Sequence, residues 1–217
     1  MCSLDMAAKI LRELLGTGEG LMTSRRTIVT QGRLAINAIL LQAARDRSHG
    51  LQVLTFEQLA ARLAGGFARP IDTETLMAAV REALASTALG ELDEIKSLPG
   101  MLQASAQSLR KAWLAGIDLS KRAMAHPRIA SMAALEAAVV ARLPPDMMRP
   151  PDLARRAAQR VAYAPAIFGS VDIVGMTELS PVWRPLLEAL STEVPTTWTA
   201  GPRAVPTWLQ STGIAVQ

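Results

Sequence analysis

The sequence predicts an α/β protein built on one parallel sheet, with a large all-helical excursion between the two halves of that sheet. Three observations predict it. Short apolar or β-branched runs at 27–30, 51–55, 171–174 and 196–199 have the length and composition of buried strands. Within each half, stretches with helical spacing separate these runs, so both ends read as strand, helix, strand with short links, the unit of a parallel sheet. Residues 67–161 hold only helical patterns, between Gly65-Gly66 with Pro70 on one side and the Pro144-Pro145 and Pro150-Pro151 pairs on the other. The expected layout is a first α/β part over 1–66, a helical insertion over 67–161 and a second α/β part over 162–217, with strands pairing across the excursion.

Taken in order, Lys9 to Leu15 has helical spacing and stops at Gly16-Thr17-Gly18. Thr27 to Thr30 is β-branched, as strands prefer. Arg33 to Arg47 repeats apolar residues at Leu34, Ile36, Ala38, Leu41 and Ala44, and His49-Gly50 closes it. Leu51 to Thr55 is the next strand and Phe56 to Leu63 the next helix. Asp72 or Thr73 caps a helix from Glu74 to Ala85. After the Leu98-Pro99-Gly100 break come helices over 101–116 and 129–143, then one from Asp152, as its cap, to about Val161. Val171 to Val174 is a strand and Gly175 to Pro181 a loop. Val182 to Leu190 is an amphipathic helix that tolerates Pro185 in its first turn. Thr196 to Thr199 is the fourth strand.

Half of the residues are hydrophobic and only 4% aromatic, so Ala, Leu, Val and Met must fill the core. The formal charge of +4 permits nucleic-acid contact without requiring it. Cys2 is the only cysteine, which excludes a disulfide framework and a thiolate metal cluster. No apolar run approaches the roughly 20 residues of a membrane span. Asp5, Lys9, Arg12 and Glu13 interrupt the N-terminus, so it does not read as a signal peptide, and a cytoplasmic protein with no membrane partner is expected.

In parallel sheets the ligand site lies in the loops at the strands' carboxyl ends. A phosphate-binding loop after the first strand would read GxxxxGK[ST], with lysine on the phosphates and a hydroxyl on magnesium. Here Gln31-Gly32-Arg33-Leu34 supplies one glycine, no lysine and no hydroxyl. Arg33 with the helix N-terminus offers at most weak anion binding; the alternative is a plain strand-to-helix turn. Glu94-Ile95-Lys96 matches half of a nuclease motif, but no Asp precedes it on an adjacent strand to complete a metal site. His49 and His126 lack Cys or carboxylate neighbours at metal-ligand spacing. No metal and no cofactor is expected. The basic pairs Arg25-Arg26, Lys121-Arg122 and Arg155-Arg156 read as solvated faces unless the fold brings them together.

Several segments, in order, resemble UvrD-like superfamily I helicases. Thr55-Phe56-Glu57-Gln58-Leu59-Ala60 is similar to their TFxxLA segment. Val171-Asp172-Ile173-Val174-Gly175-Met176-Thr177-Glu178-Leu179-Ser180-Pro181 is similar to their VDExQDxSP strand and loop, and Thr199-Ala200-Gly201-Pro202-Arg203 to their GDPxQ segment. Leu98-Pro99-Gly100 and the stretch from Ala112 to Asp118 resemble the degenerate N-terminal helicase domain of AddB-type helicase–nuclease subunits. The likeness runs from about Arg25 to Leu209, and it implies that the α/β fold is a parallel sheet of RecA-like (P-loop-type) architecture with a large all-helical insertion. It implies a non-catalytic module of a double-strand-break repair and recombination machine, one that contacts DNA (a single strand or a duplex end) and has an AddA-type motor subunit as partner. It also implies Thr55, Phe56 and Arg203 as DNA-contacting positions, although Phe56 reads equally as core.

The departures from the family imply loss of chemistry. Gly175 stands at the magnesium-binding Asp, Met176 at the catalytic Glu, and Glu178 at a usual Gln, while Gly32-Arg33 replaces the lysine-bearing loop. Each missing group would have stabilised charge on a transferring phosphoryl group. The family's second helicase half and nuclease domain would follow Arg203. A protein-interaction adaptor with no nucleic-acid role is the alternative.

Overall fold

The computed structural model describes residues 25–200 and 205–217. The expected helix at Lys9–Leu15 and the candidate Arg203 lie outside the described residues.

Five strands form one sheet in the order β2-β1-β5-β6-β7, with every neighbouring pair parallel. They are β1 (Arg26–Val29), β2 (Leu51–Leu54), β5 (Ser170–Val174), β6 (Thr196–Thr199) and β7 (Ala215–Val216). Arg26 pairs with Leu51 on one side and Ser170 on the other, so strands from both ends of the chain share one sheet, as the sequence predicts. The two-residue β7 was not expected; a pair this short has no readable period. Strands β3 (Arg69–Pro70) and β4 (Met147–Met148) form a separate parallel pair, tied by an Arg69–Asp146 ion pair at 2.7 Å.

The alternation of side chains along each strand divides the apolar residues between two faces. Val29, Leu54, Val171, Ile173 and Trp198 point into the main core, under α2 (Phe56–Ala64), α7 (Pro150–Ala158) and α9 (Arg184–Glu193). Ile28 points the other way and packs on Ile39 of α1 (Arg33–Arg45), with Leu51, Val53 and Val174 half-buried beside it. Asp172 lies on that second face. It accepts from Arg26 Nε at 2.6 Å and from the Thr197 hydroxyl, so a carboxylate that is 7% exposed is held by two donors.

Between β3 and β4 the regular elements are all helical. They include α3 (Thr73–Ser86), α4 (Met101–Leu114), the short α5 (Leu119–Arg122) and α6 (Pro127–Val140). Leu76, Val80, Leu109, Trp113, Leu135 and Val139 form a second core, distinct from the one on the sheet. Asp72 caps α3 by accepting from Thr75 N–H at 2.7 Å. His126 caps α6, its Nδ1 accepting from Arg128 N–H at 3.1 Å, and Pro127 fits the first position, where no N–H is required. Asp152, expected as a cap, is instead inside the first turn of α7 and binds Arg149 and Arg155. The fixed φ of Pro150 starts that helix three residues earlier, with Arg149 at the cap position.

The short α8 (Ala164–Phe168) turns into β5 at Gly169, which has φ +68°. A Cβ there would meet the Arg25 carbonyl oxygen at 1.8 Å, so no other residue fits between the amino ends of β1 and β5.

Candidate functional site

β1 connects to β2 on one side, while β5, β6 and β7 extend on the other. The sheet reverses its order between β1 and β5, and the crevice outside their carboxyl ends is where an open α/β sheet takes a ligand. The crevice encloses about 150 Å³, lined by Thr30 and Gly32 after β1, Thr55 to Glu57 at the start of α2, and Met176, Glu178 and Trp183 beyond β5, among others. That volume falls below the roughly 300–1,000 Å³ of small-molecule pockets.

Each candidate position now has a place. Gly32 caps α1 with φ +83° and no side-chain bond, and Arg33 begins the helix, exposed and outside the crevice lining. Gly175 has φ +70°, and a Cβ on it would reach Thr30 Oγ1 at 3.9 Å. Met176 is 3% exposed and belongs to the main core, so the position that the sequence resemblance aligns with a catalytic carboxylate is used for packing. Glu178 Oε1 accepts from Arg184 at 2.9 Å and from Trp208 Nε1 at 3.0 Å, while the Arg184 guanidinium stacks 4.6 Å over the Trp208 ring. That carboxylate clamps the loop after β5 to the C-terminal segment.

Thr55 is the N-cap of α2. Its hydroxyl accepts from Gln58 N–H, and the Gln58 side chain accepts from Thr55 N–H, a complete capping box. Thr55→Ala is expected to lose about 1 kcal/mol of stability, the usual worth of such a cap, measured by urea denaturation. Phe56 takes the core alternative of its two readings: its side chain is 4% exposed and its ring packs 5.9 Å from that of Trp183. A ring held there has no free face for a base, because α2 sits on the sheet with this first position turned into the core.

The charged residues lining the crevice are Glu57 and Glu178. Burial raises the Glu57 carboxyl above its ordinary value, and the Arg110 guanidinium on α4 pulls it back. Glu57 was not singled out from the sequence, although it lies inside the TFxxLA-like segment. The lining thus offers a polyphosphate no lysine, only two carboxylates, of which Glu178 is paired with Arg184. Among the described residues no three His, Cys, Asp or Glu side chains gather as metal ligands.

The remaining motifs disperse. Glu94-Ile95-Lys96 lies in a turn where Lys96 pairs with Asp93 at 2.8 Å. Arg26 binds Asp172. Arg156 and Arg160 donate to the last carbonyls of α2, at Ala64 and Leu63, which satisfies groups a helix end leaves open. Gly65 and Gly66 turn beneath these two guanidiniums; a Cβ at Gly66 would come within 2.5 Å of Arg156.

A larger cavity, about 600 Å³, lies between α4, α5, α6 and α7. At its wall Glu136 Oε1 accepts from Trp113 Nε1 at 2.6 Å and from Arg149 Nη1 at 2.7 Å, and Arg149 Nε donates to Asp152 at 2.7 Å. This network joins the helical core to α7, which packs against α2 and α9 of the main core. The sequence gives no sign of it, since its members are scattered over 40 residues of irregular spacing.

No helix among the described residues is long and apolar enough to cross a membrane. No protein-family model matches the chain, and no curated protein matches it either.

Proposed function

We propose that this chain is a non-catalytic, helicase-like module of a double-strand-break repair helicase–nuclease, acting as scaffold and DNA-contacting surface beside a motor subunit. In this reading the sheet is a RecA-like domain formed by 1–66 and 162–217, and 67–161 is its helical insertion. One observation carries the proposal: the crevice lies where such a domain binds nucleotide, yet Met176 is in the core and the charged lining residues are carboxylates. The order of the helicase-like segments and the separate core of the helical stretch support the same reading.

The expected results are no ATP hydrolysis above background and no magnesium-dependent ATP binding, because the groups that hold the γ-phosphate and its metal are missing. Calorimetric titration with ATP, with and without magnesium, checks this. Micromolar binding that vanishes on chelation would overturn the proposal. Sulfate or phosphate may be titrated alongside; Arg33 at the α1 N-terminus predicts weak, metal-independent binding.

For DNA, the +4 charge supports weak, sequence-independent binding to single strands. Three phosphate contacts would give a salt slope of about −2 on logarithmic axes. The burial of Phe56 favours a second reading, a protein-interaction adaptor without a nucleic-acid role. A flat salt dependence, or no binding at low salt, would select the adaptor.

A further inference from the structure

Helix α1 is apolar on nearly every side, yet its deeply buried residues are Ile39 and Ala43. A helix with apolar residues all round belongs in an interior. Here Leu34 is 86% exposed, Leu41 58% and Leu40 44%. Leu34, Ala38 and Leu41 follow one another at helical spacing as an exposed apolar stripe, and the adjacent row carries Leu40 and Ala44 together with the exposed Asn37. Basic residues close both ends of it. Arg33 stands at the N-terminal end and Arg45 at the C-terminal end, about 18 Å apart along the axis, with Arg47 just beyond Asp46, whose carboxylate accepts from Gln42. None of these three makes an ion pair among the described residues, and the first turn of α1 holds no acidic residue.

We propose that this face of α1 docks an amphipathic helix of a partner protein, one that carries leucine-like side chains along its centre and acidic residues at both ends. The choice of occupant follows from charge complementarity. The stripe supplies apolar area, and the arginines set the sign and spacing of the flanking charges. A carboxylate near Arg33 also meets the positive end of the α1 dipole. Nucleic acid would use the arginines but leave the leucines in water. The inference stands on the exposed face alone and does not require the helicase-like reading.

The test uses the whole chain and two synthetic helical peptides that share one leucine stripe, one with Glu at both ends and the other with Lys. The Glu peptide is expected to bind at least about tenfold more tightly than the Lys peptide by calorimetry. Leu34→Ser with Leu41→Ser is expected to weaken it at least about tenfold, the scale of losing a buried leucine contact. Arg33→Glu with Arg45→Glu is expected to reverse the preference, so that the Lys peptide binds better. This charge-swapped variant keeps the proposal falsifiable if the serine variant fails to fold, since both of its substitutions are on solvated side chains. Equal binding of the two peptides would overturn the proposal, as would concentration-dependent self-association of the chain that the serine substitutions abolish. Tight binding to anionic vesicles with no response to the Glu peptide would overturn it in favour of a lipid surface. Single-stranded DNA affinity unchanged in the serine variant would show that this face and the DNA-contacting role succeed or fail separately.

Discussion

Phe56→Ala is expected to lower the stability of the fold by about 3–5 kcal/mol, the range for removing a buried aromatic ring from a packed core. The ring is 4% exposed, contacts Trp183 and sits among residues of the main core that include Leu59, Leu63 and Ile173. Truncation leaves a cavity beneath the start of α2, between helix and sheet, where rigid β-strands limit collapse. Urea denaturation at neutral pH measures the loss. DNA affinity, compared at conditions where both proteins are folded, should not change. The opposite pattern, an unaltered midpoint with weakened DNA binding, would mean that the ring swings out to meet a base, and the core assignment would be wrong.

Glu136→Ala is expected to lose about 2–4 kcal/mol, measured in the same way. Its carboxylate has a side chain only 13% exposed, and the Arg149 side chain facing it is 21% exposed. Removing one member of a buried pair costs more than the pair contributes, because the other charge stays desolvated. Arg149 keeps Asp152 as a partner, which places the expected loss below that of a fully orphaned charge, but Trp113 Nε1 also loses its acceptor. Glu136→Gln retains an acceptor for the indole and should cost less. Glu136→Leu combined with Arg149→Met should recover part of the loss, since it leaves no desolvated charge from this pair, while the Trp113 indole N–H still lacks its acceptor. If Glu136→Ala alone falls within about 0.5 kcal/mol of the parent, the network is solvated and holds nothing together.

These two sites show what the sequence can reveal. β1, β2, β5 and β6 were legible because four-residue runs of β-branched and apolar side chains between helical stretches have few other readings. The shared sheet followed from the matching pattern at both ends. The helical stretch was legible from its breakers, Gly65-Gly66 and the proline pairs. β3, β4 and β7 were not, because two residues show no period and their pairing depends on distant partners. Asp152 misled because a helix start was sought at a capping side chain, whereas Pro150 set it. At the crevice, the missing lysine and the Gly175-Met176 substitution were visible in the sequence. The burial of Phe56 was not, since a ring at the first position of a helix faces core or solvent according to how that helix sits on its sheet. The Glu136–Arg149–Trp113 network joins three elements remote in sequence, and only the tertiary fold brings them together.

β1 pairs on both sides, and its two partners arrive at very different times. β2 follows directly, but the Arg26–Asp172 contact closes over 146 residues. During synthesis on the ribosome, β1 and β2 therefore emerge as an incomplete sheet with an open edge, a surface prone to unwanted pairing. For a flexible chain, closing the longer loop costs on the order of 1.5 kcal/mol more than closing the shorter one. The helical stretch changes that situation. Its own core needs only residues 71 to 139, and contacts of such short range form early. Once it has collapsed, the tether between β2 and β5 is a compact body and no longer a long coil. The second core thus serves as a folding device for the first: it shortens the search by which β5 finds the waiting edge of β1.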